Sequence, residues 1–248
     1  MSAEFIISEL QSIGTPEKAA HLQRFFKTGP GQYGEGDVFI GVVVPHTRSI
    51  AKSNGQTPLV EIRKLLASKY HEARLCGLII LAERFKKASG MERGEIYNFY
   101  LQHTSCVNNW DLVDLTCPTV VGEYLADKNR DVLHRLAESD NLWEQRISIV
   151  STLAFIRKGD FSDTLDLSGK LLNHPHDLIH KAVGWMLRET GKRDRNVLTG
   201  FLEKHAANMP RTALRYAIEH YPEPERQYFL RKKQSPNRSA IKSSLRNT

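Results

Sequence analysis

The stretch LWEQRISIVSTLAFIR, residues 142–157, decides the fold class. Leu142, Ile147, Ile149, Val150, Leu153, Ala154 and Ile156 recur at helical spacing and form an apolar stripe too wide for a helix that covers a single neighbour. Such a helix is sandwiched. Two further segments share its polar start and apolar continuation: HEARLCGLIILAERF from His71 and HDLIHKAVGWMLRE from His176. Arg74 and Arg146 lie 72 positions apart and His180 another 34 on, close to multiples of one two-helix unit. The expected architecture is all-α, a curved helical solenoid of antiparallel helix pairs whose concave groove takes residues from helices distant in sequence.

Outward from these segments, Gly, Pro, Asn and Asp punctuate further helical runs, and no series of alternating strands interrupts them. Helices are predicted over 2–13, 16–28, 46–54, 57–68, 70–89, 92–104, 109–127, 129–138, 141–158, 162–173, 176–190, 194–207, 210–221 and 223–233. The long exception is GPGQYGEGDVFIGVVVP, Gly29 to Pro45. It lacks the G-x-x-x-x-G-K-[ST] ending and the preceding strand of a phosphate loop, and reads as an ordered connection between helices.

With 248 residues, 40% of them hydrophobic and 25% charged, the chain can bury a substantial core, which excludes a disordered or collagen-like protein. Cys76, Cys106 and Cys117 form an odd set without a C-x-x-C pair, which argues against a disulfide framework or structural zinc and suits a reducing compartment. Met1 to Leu10 carries Glu4 and Glu9 and no basic segment, so it does not read as a secretory signal and a cytoplasmic protein is expected; separately, a monomer is expected. The apolar run Leu75 to Ala82 is too short to cross a bilayer. Of the 35 basic residues behind the net charge of +7, six fall in 231–248, leaving 29 against 28 acids in the remainder. Bulk charge therefore says little about a nucleic-acid partner, and local placement must decide. One domain over 1–233 and a flexible basic tail over 234–248 are expected.

Within NNWDLVD, residues 108–114, the asparagines suit a helix cap and Asp111 suits the helix dipole. Asp114 is different, because Trp110, Cys117 and Val121 share its helical face and place a carboxylate on an apolar stripe. Pro118 acts on the carbonyl of Asp114, four residues back, so the helix should kink or restart there. Arg146 poses the matching problem on a line with Leu142, Ile149, Val150 and Leu153. Either it forms a buried bridge with Asp114 or it grips a DNA phosphate. Trp185 adds an indole on a third helix of this kind, whereas Trp143 suits the core or a helix start. Two indoles, a carboxylate and a guanidinium suit cationic chemistry: aromatic faces attract positive charge, and a carboxylate stabilises a developing cation while orienting water. No second carboxylate stands ready as a general acid. An N3- or N7-alkylated purine, already cationic, leaves as a neutral base without one. The histidines, His46, His71, His174, His176, His180 and His220, lack metal-ligand spacing.

Together, NNWDLVD, LWEQR and KAVGWMLRE resemble the DNA alkylation repair family of HEAT-like-repeat DNA glycosylases, over a span from about Glu17 to Tyr221. The resemblance implies a HEAT-like fold and a monofunctional glycosylase that needs no metal or cofactor. Its implied substrate is duplex DNA, from which it excises 3-methyladenine and 7-methylguanine. It assigns catalysis to Asp114, Trp110 and Trp185 and phosphate contact to Arg146, with the lesion thought to stay stacked. Lys52, Arg188 and Arg193 are further candidates for the DNA backbone. Phe25 falls where some relatives carry a tyrosine, and Gly29–Gly36 is longer than in some of them. The alternative is a non-catalytic helical-repeat module that binds unusual DNA or a protein partner.

Overall fold

The computed structural model describes residues 1–232, and among these every named element is helical. The only β feature there is an isolated parallel bridge between Val38 and Tyr70. The expected tail lies outside the described residues. The chain separates into two compact units, the first ending at Ala154 and the second beginning at Phe155.

In the first unit, α1 (Ala3–Ile13), α3 (Val44–Ser53) and α4 (Leu59–Leu66) pack on α5 (His71–Lys87), which also meets α6 (Gly90–Gln102). Every residue of α5 from His71 to Ala82 is buried, so this helix is a central post rather than an amphipathic surface helix. Polar positions set where the helices begin. Thr15 caps α2 (Pro16–Phe25), whose proline occupies the first turn, and Asn141 Oδ1 accepts from the N–H groups of Trp143 and Glu144 to start α10 (Leu142–Ser151). Between them run α7 (Trp110–Asp114), α8 (Glu123–Leu125) and α9 (Asp131–Ala137), the last packed on α10.

Two predicted helices break. The run 109–127 becomes α7, a π-helical turn over Pro118–Gly122 and then α8. This is the restart that Pro118 demands, since it offers no N–H to the carbonyl of Asp114. The run 141–158 ends as α10 at Ser151 and resumes as α11 (Leu153–Ile156), where the Thr152 hydroxyl bonds back to the Ile149 carbonyl at 2.7 Å. Gly122 admits the close approach between these two broken segments. A Cβ there would lie 2.3 Å from the Ser151 carbonyl oxygen and 2.8 Å from Ala154 Cβ.

The second unit comprises α12 (Ser162–Lys170), α13 (Asp177–Arg193), α14 (Arg195–His205), α15 (Arg211–Ala217) and α16 (Glu223–Arg231). Its main packing is α13 against α15, with Gly184 at the contact: a Cβ there would meet the Ala213 carbonyl oxygen at 2.6 Å. Asp194 ends α13 and caps α14 through its Oδ1. No helix among the described residues is long and apolar enough to cross a membrane.

Candidate active site

Helix α7 is five residues long and carries Trp110 at its start and Asp114 at its end. Of the two readings open for Arg146, the structure shows the ion pair. Arg146 donates from Nε to Asp114 Oδ1 at 2.8 Å and from Nη2 to Asp114 Oδ2 at 2.7 Å, a two-pronged fork across α10 and α7. Only 6% of the Arg146 side chain is exposed, against 15% for Asp114. The carboxylate is thus held from inside, with no donor but Arg146 among the described residues, and its side chain keeps a small solvent-facing fraction. Burial pushes the Asp114 carboxyl above the ordinary aspartate range. The guanidinium pulls it partway back, and the neighbouring Asp111 carboxylate adds to the rise. A raised carboxylate is a better proton acceptor and remains a fixed negative charge beside any cation that forms.

Trp110 is half-buried, and its indole lies nearly parallel to Phe26, with ring centres 5.2 Å apart. Phe25 meets it edge-on at 6.0 Å and is itself 57% exposed, so an aromatic edge reaches solvent beside the carboxylate's helix. Phe26 stacks on Phe39, and Phe39 on the imidazole of His71.

His71 is the centre of a buried polar cluster that sequence reasoning passed over. Its Nδ1 faces Asp37 Oδ2 at 3.1 Å and its Nε2 faces Asp111 Oδ2 at 2.9 Å. Burial alone would lower its pKa. The Asp111 and Asp37 carboxylates overcome this and raise it to about 9, so the ring is a cation at neutral pH. Asp37 also accepts from Arg74 Nη2 at 2.5 Å, Asn108 Nδ2 at 3.1 Å and Asn109 Nδ2 at 3.3 Å. Burial opposes its ionisation, but the His71 bond and the Arg74 charge win and hold it below the ordinary range. Asn109 meanwhile caps α7 by accepting the Trp110 N–H at 2.8 Å. The adjoining Glu72 carboxylate takes the N–H groups of Ile40, Gly41 and Val42. The Gly-rich connection is therefore pinned to α5, and through Asp37 to the start of α7. Asp111, assigned to the helix dipole from sequence, is instead buried as a partner of His71. The available signal was His71, Glu72 and Arg74, three polar side chains at the head of the otherwise apolar run from His71 to Ala82.

The other candidates fall as follows. Lys52 is exposed near the end of α3. Trp143 is buried in the first turn of α10, with Tyr33 edge-on at 6.1 Å. In the second unit Trp185 is half-buried on α13, Arg188 is paired with Glu219 and faces Glu189, and Arg193 is exposed at the last position of α13. His180 and Lys181 approach Asp177. Among the described residues no cluster of three His, Cys, Asp or Glu side chains is arranged to hold a metal ion.

A predicted DNA alkylation repair enzyme from Enterococcus faecalis has the same fold, with a TM-score of 0.64 at 17% identity over 85% of this chain and 97% of that one. No curated protein matches the chain by sequence. Residues 6–221 match the family described as DNA alkylation repair enzyme. A match over this share of the sequence is decisive: the chain belongs to the DNA alkylation repair enzyme family, with a role in the repair of alkylated DNA.

Proposed function

We propose that the protein is a monofunctional DNA glycosylase that releases cationic N3- and N7-alkylated purines, chiefly 3-methyladenine and 7-methylguanine, from duplex DNA. The observation that carries this reading is Asp114, gripped from within by Arg146, keeping a small solvent-facing fraction and lying on the same short helix as Trp110. As the N-glycosidic bond breaks, its electron pair neutralises the alkylated base and leaves an oxocarbenium-like sugar. Asp114 stabilises that charge and takes a proton from the water whose oxygen bonds to C1′. The Trp110 π face adds roughly 0.5–2 kcal/mol toward the cation, depending on desolvation.

Arg146, so little exposed, serves first as a positioning residue for the carboxylate rather than as a phosphate grip. Trp185, Arg193 and Lys52 are proposed to contact DNA. Arg188 does so only by giving up its pairing with Glu219. The test is incubation of methylated duplex with wild type and with Asp114→Asn, the free bases being identified by mass spectrometry. Release by wild type and a loss of about 10²–10³-fold in the variant are expected. No base released by wild type would leave the non-catalytic helical-repeat module as the reading.

A further inference from the structure

The geometry points to His71 as the positioning residue of Trp110: one imidazole holds the cap and the first two residues of α7, Asn109, Trp110 and Asp111, by three separate routes. The inference rests on the reading of Trp110 and Asp114 as the reactive pair. Asp111 is held directly, its Oδ2 facing His71 Nε2 at 2.9 Å while its Oδ1 accepts the Leu112 N–H at 2.9 Å. Asn109 is held through Asp37, whose Oδ2 faces His71 Nδ1 at 3.1 Å and accepts from Asn109 Nδ2 at 3.3 Å. Trp110 is held through a single ring. Phe26 lies nearly parallel to the indole, with centres 5.2 Å apart, and its centre is 5.0 Å from that of the imidazole. Phe39 stacks on both Phe26 and His71 and closes the group.

The Gly-rich connection does not need the bond between His71 and Asp111. Arg74 pins it through Asp37, and Glu72 pins it through the N–H groups of Ile40, Gly41 and Val42. What that bond adds is α7. This helix has five residues, too few to keep a direction of its own, and a π-helical turn follows it in place of a longer helix. The plane of the Trp110 indole is therefore imposed from outside. It matters because an aromatic face attracts a sugar cation only when it lies over that cation. An imidazolium suits the task at a buried position: it offers an N–H on each of two edges for the two aspartates and a flat face for the rings. The charged groups facing it are Asp37 from the connection, Asp111 from α7 and Arg74 from its own helix. Burial lowers the His71 pKa, but the two carboxylates prevail and raise it to about 9. Above that value a neutral ring can donate to only one of them.

Two measurements on the full chain test this. The first reads Trp110 alone, by fluorescence emission and acrylamide quenching in a parent that carries Trp143→Phe and Trp185→Phe. Against that parent, His71→Gln and Asp111→Leu should each shift the Trp110 emission to the red and raise its quenching. The parent should show the same change as pH rises through about 9, and His71→Gln should show none. Asp111→Leu leaves the Asp37–His71 pair in place and cuts only the direct tie to α7, so it carries the test if His71→Gln does not fold. The second measurement is single-turnover release of 3-methyladenine from methylated duplex by chains with all three tryptophans, with duplex affinity followed in parallel. Both variants should lose about 10–100-fold in rate with affinity unchanged. Leu65→Ala, buried on α4 where it packs at Gly77 of α5, controls for stability lost elsewhere, and should keep the wild-type rate and Trp110 emission below its melting transition. Trp110 emission that is the same in both variants as in the parent overturns the inference. So does a rate loss no greater than that of Leu65→Ala, which would leave His71 a residue of the core alone. The emission needs no DNA, so a wild type that releases no base but whose Trp110 answers to His71 loses the glycosylase reading and keeps the brace.

Discussion

The first unit contains the same device twice: a buried arginine on a central helix paired with an aspartate from an earlier segment. Arg74 of α5 holds Asp37, and Arg146 of α10 holds Asp114. The two arginines sit 72 positions apart, at matching places in the repeat. Their carboxylates have opposite fates. Asp37 is sealed, only 3% exposed, and takes further bonds from His71, Asn108 and Asn109; against burial, the His71 bond, the Arg74 charge and the Asn108 bond hold its pKa down. Asp114 has one donor residue, a small solvent-facing fraction and a raised pKa. A carboxylate whose lone pairs are all committed can only brace the fold. One left under-satisfied at the surface can bind a cation or take a proton. The comparison locates function in what the second site omits rather than in what it adds.

The sharpest way to break the comparison is Asp37→Ala. It strands the His71 and Arg74 charges inside the unit and should cost about 3–5 kcal/mol of stability. Asp114→Asn should cost less, about 1–3 kcal/mol, since the amide oxygen still accepts from Arg146 and only one buried charge loses its counterion. Denaturant unfolding of both measures the difference, and equal losses would erase the distinction between brace and active group.

Next in size is pH. The His71 pKa is raised in the folded state to about 9 from an ordinary 6.5, so its stabilisation is complete below 6.5 and is lost as pH rises through about 9. The loss is on the order of 3 kcal/mol. The groups facing the ring are Asp37 and Asp111, with Arg74 opposing its charge. Asp37, with its lowered pKa, stabilises above the ordinary aspartate range, and that support disappears as pH falls through its depressed value. Asp114, with its raised pKa, gains a proton on the way down and favours the folded state. Unfolding measured from pH 6 to 10 should therefore show stability declining toward the alkaline end in wild type and staying flat there in His71→Gln. A slope that survives in the variant would move the titration elsewhere.

Smallest is Gly122→Ala, whose new methyl meets backbone at the Ser151 carbonyl oxygen and should cost about 1–3 kcal/mol. Because Gly122 lets the turn that follows Asp114 pack against the end of the helix that carries Arg146, base release should fall further than stability alone explains. Single-turnover assays below the melting transition test this.

The sandwiched helices at 71–87 and 142–151 were legible from their apolar residues, and so was the asparagine cap at Asn109, because both signals are local. The pairing of Asp114 with Arg146 could be anticipated because each was an ion on an apolar face that needed a counterion. Arg74 carried the same warning, but its partner lay in the irregular Gly-rich connection, where no periodicity tells which side chain turns inward. Asp111 was misjudged for a related reason. A carboxylate in a first turn satisfies a general rule, and only the fold could reveal that His71, 40 residues earlier, claims it. Trp185 belongs to the other unit, and its pattern on α13 placed it on a half-buried face without fixing what it meets.

The wide turn at Pro118–Gly122 has a consequence for the phase of the chain. It accommodates about one residue more than an α-turn does, and each residue advances a helix by roughly 100°. Side chains beyond it are therefore out of step with those before it. A single helical wheel laid over 109–127 aligns Asp114 with Val121, yet Val121, inside the turn, is fully covered while Asp114, before it, meets water. The surplus residue resets the face of the chain, so that Asp114 meets water before the turn while Val121 and Leu125 return to the interior within and beyond it.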